Sequence, residues 1–215
     1  RPWGPPPKHS GWRNGGIINP RPAASPRIRG LVLASASPQR RRLLRELRVP
    51  FRIIPARVNE ASRVRDPRRL VLLLALRKAR AVARRHPQSL VLGADTVVVS
   101  GGRIIGKPAD RAASAAMLAA LNGRWHRVYT GVALVHRARR RSWSDAAVSR
   151  VKARRLAGAQ LARFVGRHLD KAGGYAVQDR RDPFIERIEG ERDNVIGLPM
   201  ETVRRLFRRA CADGR

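Results

Sequence analysis

Asp95 is the residue of this chain that most needs a physical explanation. It sits in Val91-Leu92-Gly93-Ala94-Asp95-Thr96-Val97-Val98-Val99, an apolar, β-branched run of the kind a covered strand shows. An ionised carboxylate inside a sheet is costly unless a cation or a metal compensates it. Lys107 follows in Gly106-Lys107-Pro108, after a hairpin signal at Gly101-Gly102. A strand carboxylate faced by a lysine from the next loop suits a metal–phosphate site. The other reading is a structural Asp that closes a turn or pairs an arginine. A second candidate is the loop Ser35-Ala36-Ser37-Pro38-Gln39-Arg40. Ser37 is a natural cap for a helix that Pro38 begins. Free N–H groups at that helix start, two hydroxyls and Arg40 together offer a phosphate-binding surface. The same residues also make an ordinary capped turn.

The elements that must position these residues alternate early and pair late. Leu31-Val32-Leu33-Ala34 is predicted as a short strand, followed by a helix over Arg40 to Leu47 with Leu43, Leu44 and Leu47 on one face. Phe51 to Ile54 reads as a strand. Asp66-Pro67 starts a long helix through Arg85, with Leu70, Leu73, Leu74 and Ala81 at helical spacing. After the Asp95 strand come a helix over Ala109 to Leu121, stopped at Asn122-Gly123, and strands from Trp125 to Val135 and from Trp143 to Val151. A short helix over Gly158 to Gly166, a strand over Phe184 to Ile188 and a closing helix over Pro199 to Arg209 complete the pattern. This predicts an α/β domain with a mixed sheet.

Composition bounds the rest. The 215 residues fit one domain plus a tail, enough to bury a sizeable core. Residues 1–27 carry Pro5-Pro6-Pro7, Gly15-Gly16 and little apolar period, and are expected to be a disordered basic tail before a domain over 28–210. No apolar centre marks a secretory leader there, and the first residue is not Met, as in a processed or truncated chain. The longest aliphatic run, Leu70 to Leu76, is too short to span a bilayer. The single cysteine, Cys211, allows no internal disulfide and fits a reducing, cytoplasmic compartment. A net charge of +32 invites a nucleic-acid reading. However, the arginines are spread along the whole chain, and abundant Arg, Ala, Pro and Gly are what a GC-rich coding sequence yields. Aromatics are only 5%, and no zinc spacing or aromatic RNA-binding signature occurs. Only nonspecific nucleic-acid binding is expected. Of the 47 basic residues just five are lysine. That makes Lys78, Lys107 and Lys171 of interest, because a compact ammonium and a guanidinium are not equivalent at a phosphate site.

Six segments occur in order: Leu31-Val-Leu-Ala-Ser-Ala-Ser-Pro-Gln-Arg40, Leu92-Gly-Ala-Asp-Thr96, Ile105-Gly-Lys-Pro108, Tyr129-Thr-Gly-Val132, Asp170-Lys-Ala-Gly-Gly-Tyr-Ala-Val-Gln178 and Asn194-Val-Ile-Gly-Leu-Pro199. Together they resemble the Maf family of nucleoside triphosphate pyrophosphatases, from about Ile28 to about Phe207. The resemblance implies a fold similar to inosine triphosphate pyrophosphatases: an elongated mixed sheet flanked by helices, with two lobes around a cleft. It implies hydrolysis of a nucleoside triphosphate between the α- and β-phosphates, with a divalent cation. The family's catalytic aspartate matches Asp95, its phosphate-binding residues match Ser35, Arg40, Lys78 and Lys107, and an acidic residue matches Glu60. Mg²⁺ or Mn²⁺ prefers oxygen ligands such as Asp95 and Glu60 alongside phosphates. Ser37 joins the phosphate loop.

Three positions set base preference in this family. Thr96 and Gln178 match the dTTP/UTP type, and Gln39 departs from its usual Arg. Asn59 stands where a second acid is common, which removes one metal ligand. Tyr175 and Gln178 offer a stacking face and an amide for a pyrimidine edge. The expected substrates are therefore dTTP, UTP or modified pyrimidine nucleotides. The alternatives are a 7-methyl-GTP-type pyrophosphatase, a basic nucleic-acid-binding protein, and a catalytically silent family member acting through partners in cell division. A homodimer is among the open assembly states.

Overall fold

The computed structural model describes residues 30–177 and 184–213. The expected tail and Gln178 lie outside the described residues. The protein is α/β, built on a mixed seven-stranded sheet: β1 (Leu31–Leu33), β2 (Phe51–Ile53), β3 (Leu90–Ser100), β4 (Arg103–Ile105), β5 (Trp125–His136), β6 (Arg141–Ala153) and β7 (Ile185–Glu189). The order is β2-β1-β3-β5-β6-β7, with β4 on the far half of β3. β1 pairs β2 and β3 in parallel, and every other pairing is antiparallel.

Side-chain alternation on the strands explains how the sheet is covered. Leu31, Leu33, Leu90, Leu92, Ala94, Val132 and Leu134 face one side, where Leu43 and Leu44 of α1 (Pro38–Leu44) and Met200, Val203 and Leu206 of α6 (Met200–Ala212) bury them. Val32, Ala34, Val91, Ala133 and Val135 face the other side, against Ala75, Ala79, Val82 and Ala83 of α2 (Pro67–Arg85). β3 is covered on both faces, which is why its sequence is apolar without alternation. α2 lies very close to the sheet. A Cβ added to Gly131 on β5, opposite Asp95, would collide with the Val71 carbonyl.

A third cluster gathers at the far ends of the long strands. Val98, Val128 and Val151 pack there with Leu118 and Leu121 of α3 (Arg111–Leu121) and with Phe164, Tyr175 and Phe184. β3, β5 and β6 thus run through two lobes, and a cleft opens at the edge of β3 between the end of β1 and β4.

The structure trims several expected boundaries. The first helix starts at Pro38 behind the Ser37 cap, as expected, but tightens to a 3₁₀ turn at Arg45–Leu47, ended by left-handed Arg48. Asp110 caps α3, so that helix begins at Arg111 rather than Ala109. The helix expected over Gly158–Gly166 keeps only Gly158–Ala162, as α4, because Gly166 has a positive φ of 81° and the chain turns there. Phe184 is wholly buried, and its strand starts one residue later, at Ile185. The closing helix runs on to Ala212. A five-residue helix, α5 (Arg192–Ile196), was too short for periodicity to reveal.

Candidate active site

The cleft has a volume of about 550 Å³ and takes its walls from both lobes. Asp95 and Thr96 are neighbours on β3 and therefore point to opposite faces of the sheet. Two different environments meet at this strand edge.

On the Asp95 face the groups are charged. Lys78 comes from the middle of α2, whose start is fixed by the Asp66 carboxylate accepting from the Arg69 N–H at 2.7 Å, with Pro67 in the first turn. Its Nζ donates to Asp95 Oδ1 at 2.6 Å and pairs with Glu60 Oε1 at 2.9 Å. Asp95 is 6% exposed and Lys78 8%, so this ammonium is the compensating cation that the buried carboxylate requires. Glu60 lies on the loop between β2 and α2, and Arg77 tethers that loop by donating to the Asn59 and Ala61 carbonyls. Burial works to raise the Glu60 carboxyl, but Lys78, with Lys107 and Arg40 farther off, outweighs it and holds the group below the usual carboxylate range. Lys107 is exposed at the cleft rim.

On the Thr96 face one charged group, the Arg40 guanidinium, bonds to neutral partners. Arg40 Nε donates to the Gly197 carbonyl at 2.8 Å, Nη2 to Thr96 Oγ1 at 3.0 Å and Nη1 to Ser35 Oγ at 3.5 Å. Burial lowers the guanidinium's pKa while Asp95 and Glu60 push it back up, and arginine stays charged. Thr96 Oγ1 lies 3.0 Å from Thr130 Oγ1, and Thr130 donates to the Asn194 carbonyl at 2.9 Å. Val98, Val128, Tyr175, Val177, Val195 and Ile196 give this side of the cleft an apolar wall.

The predicted residues therefore meet in one place, with some changes of role. Ser35 is buried and its hydroxyl accepts from the Ser37 N–H at 3.2 Å. Ser37 caps α1 and donates to Gln39 Oε1 at 3.0 Å, so the Gln39 side chain folds back on its own loop. Tyr175 lines the cleft, but it is only 5% exposed. Its hydroxyl meets His126 Nε2 at 2.8 Å and its ring packs against Phe184. Most of the stacking face expected of it is thus spent on the core. Lys171, made interesting by lysine scarcity, lines the cleft and pairs with Asp170 at 2.8 Å. Thr130, Asn194 and His126 were given no role by sequence reasoning. For Thr130 the available signal is the one that exposes Asp95, a polar residue beside the apolar run of a strand.

The donor set suits a hard divalent cation. Two carboxylates from different elements converge on a single point, where Lys78 Nζ already bonds both. Mg²⁺-type ions take one or two carboxylates and complete their shell with phosphates and water.

A sequence profile of the family described as Maf-like protein matches residues 30–210, most of the chain. The chain belongs to the Maf-like family. Among its relatives, a dTTP/UTP pyrophosphatase of Elusimicrobium minutum is 46% identical over 178 residues, covering 83% of this chain and 97% of that one. A protein of the same description from Moorella thermoacetica is 49% identical over 180 residues, covering 82% and 93%. A third, from Deinococcus radiodurans, is 43% identical over 188 residues, covering 86% and 94%. Among solved structures, a HAM1 protein from Coxiella burnetii aligns with this Maf-like chain at TM-score 0.41 and 20% identity, over 70% of this chain and 88% of that one.

Proposed function

We propose that this protein is a nucleoside triphosphate pyrophosphatase that hydrolyses dTTP and UTP to the monophosphate and diphosphate. The observation that carries the reading is the convergence of Lys78 with Asp95 and Glu60 inside a cleft that also holds Arg40 and Lys107. The relatives described as dTTP/UTP pyrophosphatases support the substrate class.

Hydrolysis at the α-phosphorus needs an in-line water, neutralised phosphate oxygens and a stabilised diphosphate leaving group. Asp95 Oδ1 is held by Lys78, which leaves Oδ2 to orient a water and take its proton. Lys78 keeps Asp95 and Glu60 in fixed directions. Lys107 and Arg40 bind phosphate oxygens, and the Ser35 hydroxyl, which accepts from Ser37 N–H and Arg40, keeps its proton to donate beside the start of α1. A divalent cation of the Mg²⁺ or Mn²⁺ type, held by Asp95 and Glu60 with phosphate oxygens, would add charge neutralisation at the reacting phosphates.

Residues 28–210 form the catalytic unit in this reading, with 1–27 as a dispensable basic tail. A cytoplasmic setting is supported by the lone, exposed Cys211. No helix among the described residues is long and apolar enough to cross a membrane. The test is diphosphate release from purified protein over canonical and modified triphosphates with Mg²⁺ and with Mn²⁺. Release from dTTP and UTP above the purine nucleotides is expected. No release from dTTP or UTP overturns the reading.

A further inference from the structure

We infer that Thr130 is a positioning residue for base recognition: it locks the Thr96 hydroxyl as a hydrogen-bond acceptor aimed at the N3–H of a uracil or thymine ring. The inference rests on the proposed pyrophosphatase reading and deepens it.

A hydroxyl has one proton to give and two lone pairs to receive with. A carbonyl only accepts, so the Thr130 proton is committed to the Asn194 carbonyl at 2.9 Å. The 3.0 Å contact between the two threonines then has one solution, in which Thr96 donates and Thr130 accepts. The Arg40 guanidinium has no lone pair to offer and donates to Thr96 at 3.0 Å. Thr96 has therefore spent its proton away from the cleft, filled one lone pair with Arg40 and kept one lone pair free of partners among the described residues. Thr130 and Asn194 are both fully buried, so water does not compete for these bonds. Asn194 is itself held, its side-chain amide donating to the Val128 carbonyl at 3.0 Å and to Ser149 Oγ at 2.9 Å.

The surroundings say what that lone pair meets. Thr96 and Val98 stand opposite Thr130 and Val128 on paired strands, hence on one face. With Val195, Ile196 and the Tyr175 edge they give an apolar slot beside Arg40, whereas Lys78 lies across the strand with Asp95. Phosphates belong to the cations and a flat ring to the slot. Gly197 ends α5 with a positive φ of 115°, a conformation that favours glycine, and a Cβ there would come into contact with Thr96 Oγ1 at 3.4 Å. A lone pair repels a phosphate oxygen or the N3 of cytosine, which is itself an acceptor, and it welcomes the N3–H of uracil or thymine.

The test compares UTP with CTP through kcat/KM on wild type, Thr130→Val and Thr130→Ser. The valine keeps the branched shape and removes the hydroxyl, so Thr96 is free to rotate and donate. The wild type should prefer UTP by about tenfold or more, the usual cost of opposing one unmatched polar group. Thr130→Val should erase most of that ratio through a loss on UTP with CTP unchanged or improved, and Thr130→Ser should restore it. A merely structural threonine would lower both substrates together and would not be rescued by serine. Equal losses, an unchanged ratio in Thr130→Val, or a changed ratio in Thr130→Ser overturns the inference. If the valine variant does not fold, N3-methyl-UTP on the wild type decides, since turnover equal to UTP excludes the N3–H contact. A wild type that hydrolyses no pyrimidine triphosphate would instead overturn the pyrophosphatase reading itself.

Discussion

The two faces of β3 at residues 95 and 96 solve different problems with different forces. Behind Asp95 a lysine holds two carboxylates, and Lys107 lies near. Charge acts over several ångströms and tolerates small displacements, which suits a flexible triphosphate. Behind Thr96 the bonds beyond Arg40 pass between neutral hydroxyls and a carbonyl. Neutral hydrogen bonds fail within half an ångström, which suits the reading of one ring atom. A strand's alternation is what lets adjacent residues serve both tasks without mixing them.

The sharpest way to break the comparison is Asp95→Asn. The amide keeps the shape and removes the charge. A loss of about 10²-fold or more in turnover is expected for a general base or essential cation ligand, while the UTP:CTP ratio stays as in wild type. Diphosphate release at the wild-type rate would remove Asp95 from the mechanism. Next in size is Lys78→Met. Removing one partner of a buried pair leaves an uncompensated charge, typically a cost of about 3–5 kcal/mol. The urea midpoint should fall accordingly, and restoring neutrality with Lys78→Met plus Asp95→Asn should recover much of it. An unchanged midpoint for the single variant would mean that the ion pair contributes nothing to the fold.

How much of this was legible follows the same division. Asp95 stood out because a charge broke an apolar strand, and Lys107 because a lysine in a Gly-Pro loop is rare in an arginine-rich chain. Lys78 was invisible to spacing, since on a helical pattern it looks like any surface lysine. Lysine scarcity brings Lys78 to notice, the family resemblance gives it and Glu60 a role, and their meeting at one nitrogen needs the folded chain. The Thr96 face was harder still. Thr130 and Asn194 are 64 residues apart in sequence, and their bond depends on how a five-residue helix sits on β5. Tyr175 misled in part because a tyrosine in a glycine turn reads as exposed, whereas left-handed Gly173 and Gly174 tuck it into the core.

The Thr96 face also carries a titratable group. Burial pushes the His126 imidazole from 6.5 down to about 4. Between those values the unfolded chain binds a proton that the native one does not, so stability rises with pH from about 4 to 6.5 and is level above. The span is worth at most roughly 3 kcal/mol at 1.36 kcal/mol per pKa unit. His126→Gln should flatten the melting temperature across that window. A residual slope of the same sign should remain from His136, which burial and Arg139 also lower. A slope identical to wild type would show that His126 is charged in the native protein.

The smallest effect is the most discriminating. Salt screens exposed charges with a Debye length of about 10 Å at about 0.1 M and about 3 Å at 1 M. Lys107 is exposed and Glu60 half-exposed, so the charged face feels the solvent. Thr130 and Asn194 are fully buried, and their bonds are neutral. Raising the salt from about 0.1 M to about 1 M should therefore raise KM for UTP several-fold. The ratio of kcat/KM for UTP over CTP should stay within about twofold, because both substrates lose the same phosphate attraction and the ring contact is unscreened. If the ratio collapsed with salt, the base would be read through the Arg40 charge, and the two faces of β3 would be one electrostatic site.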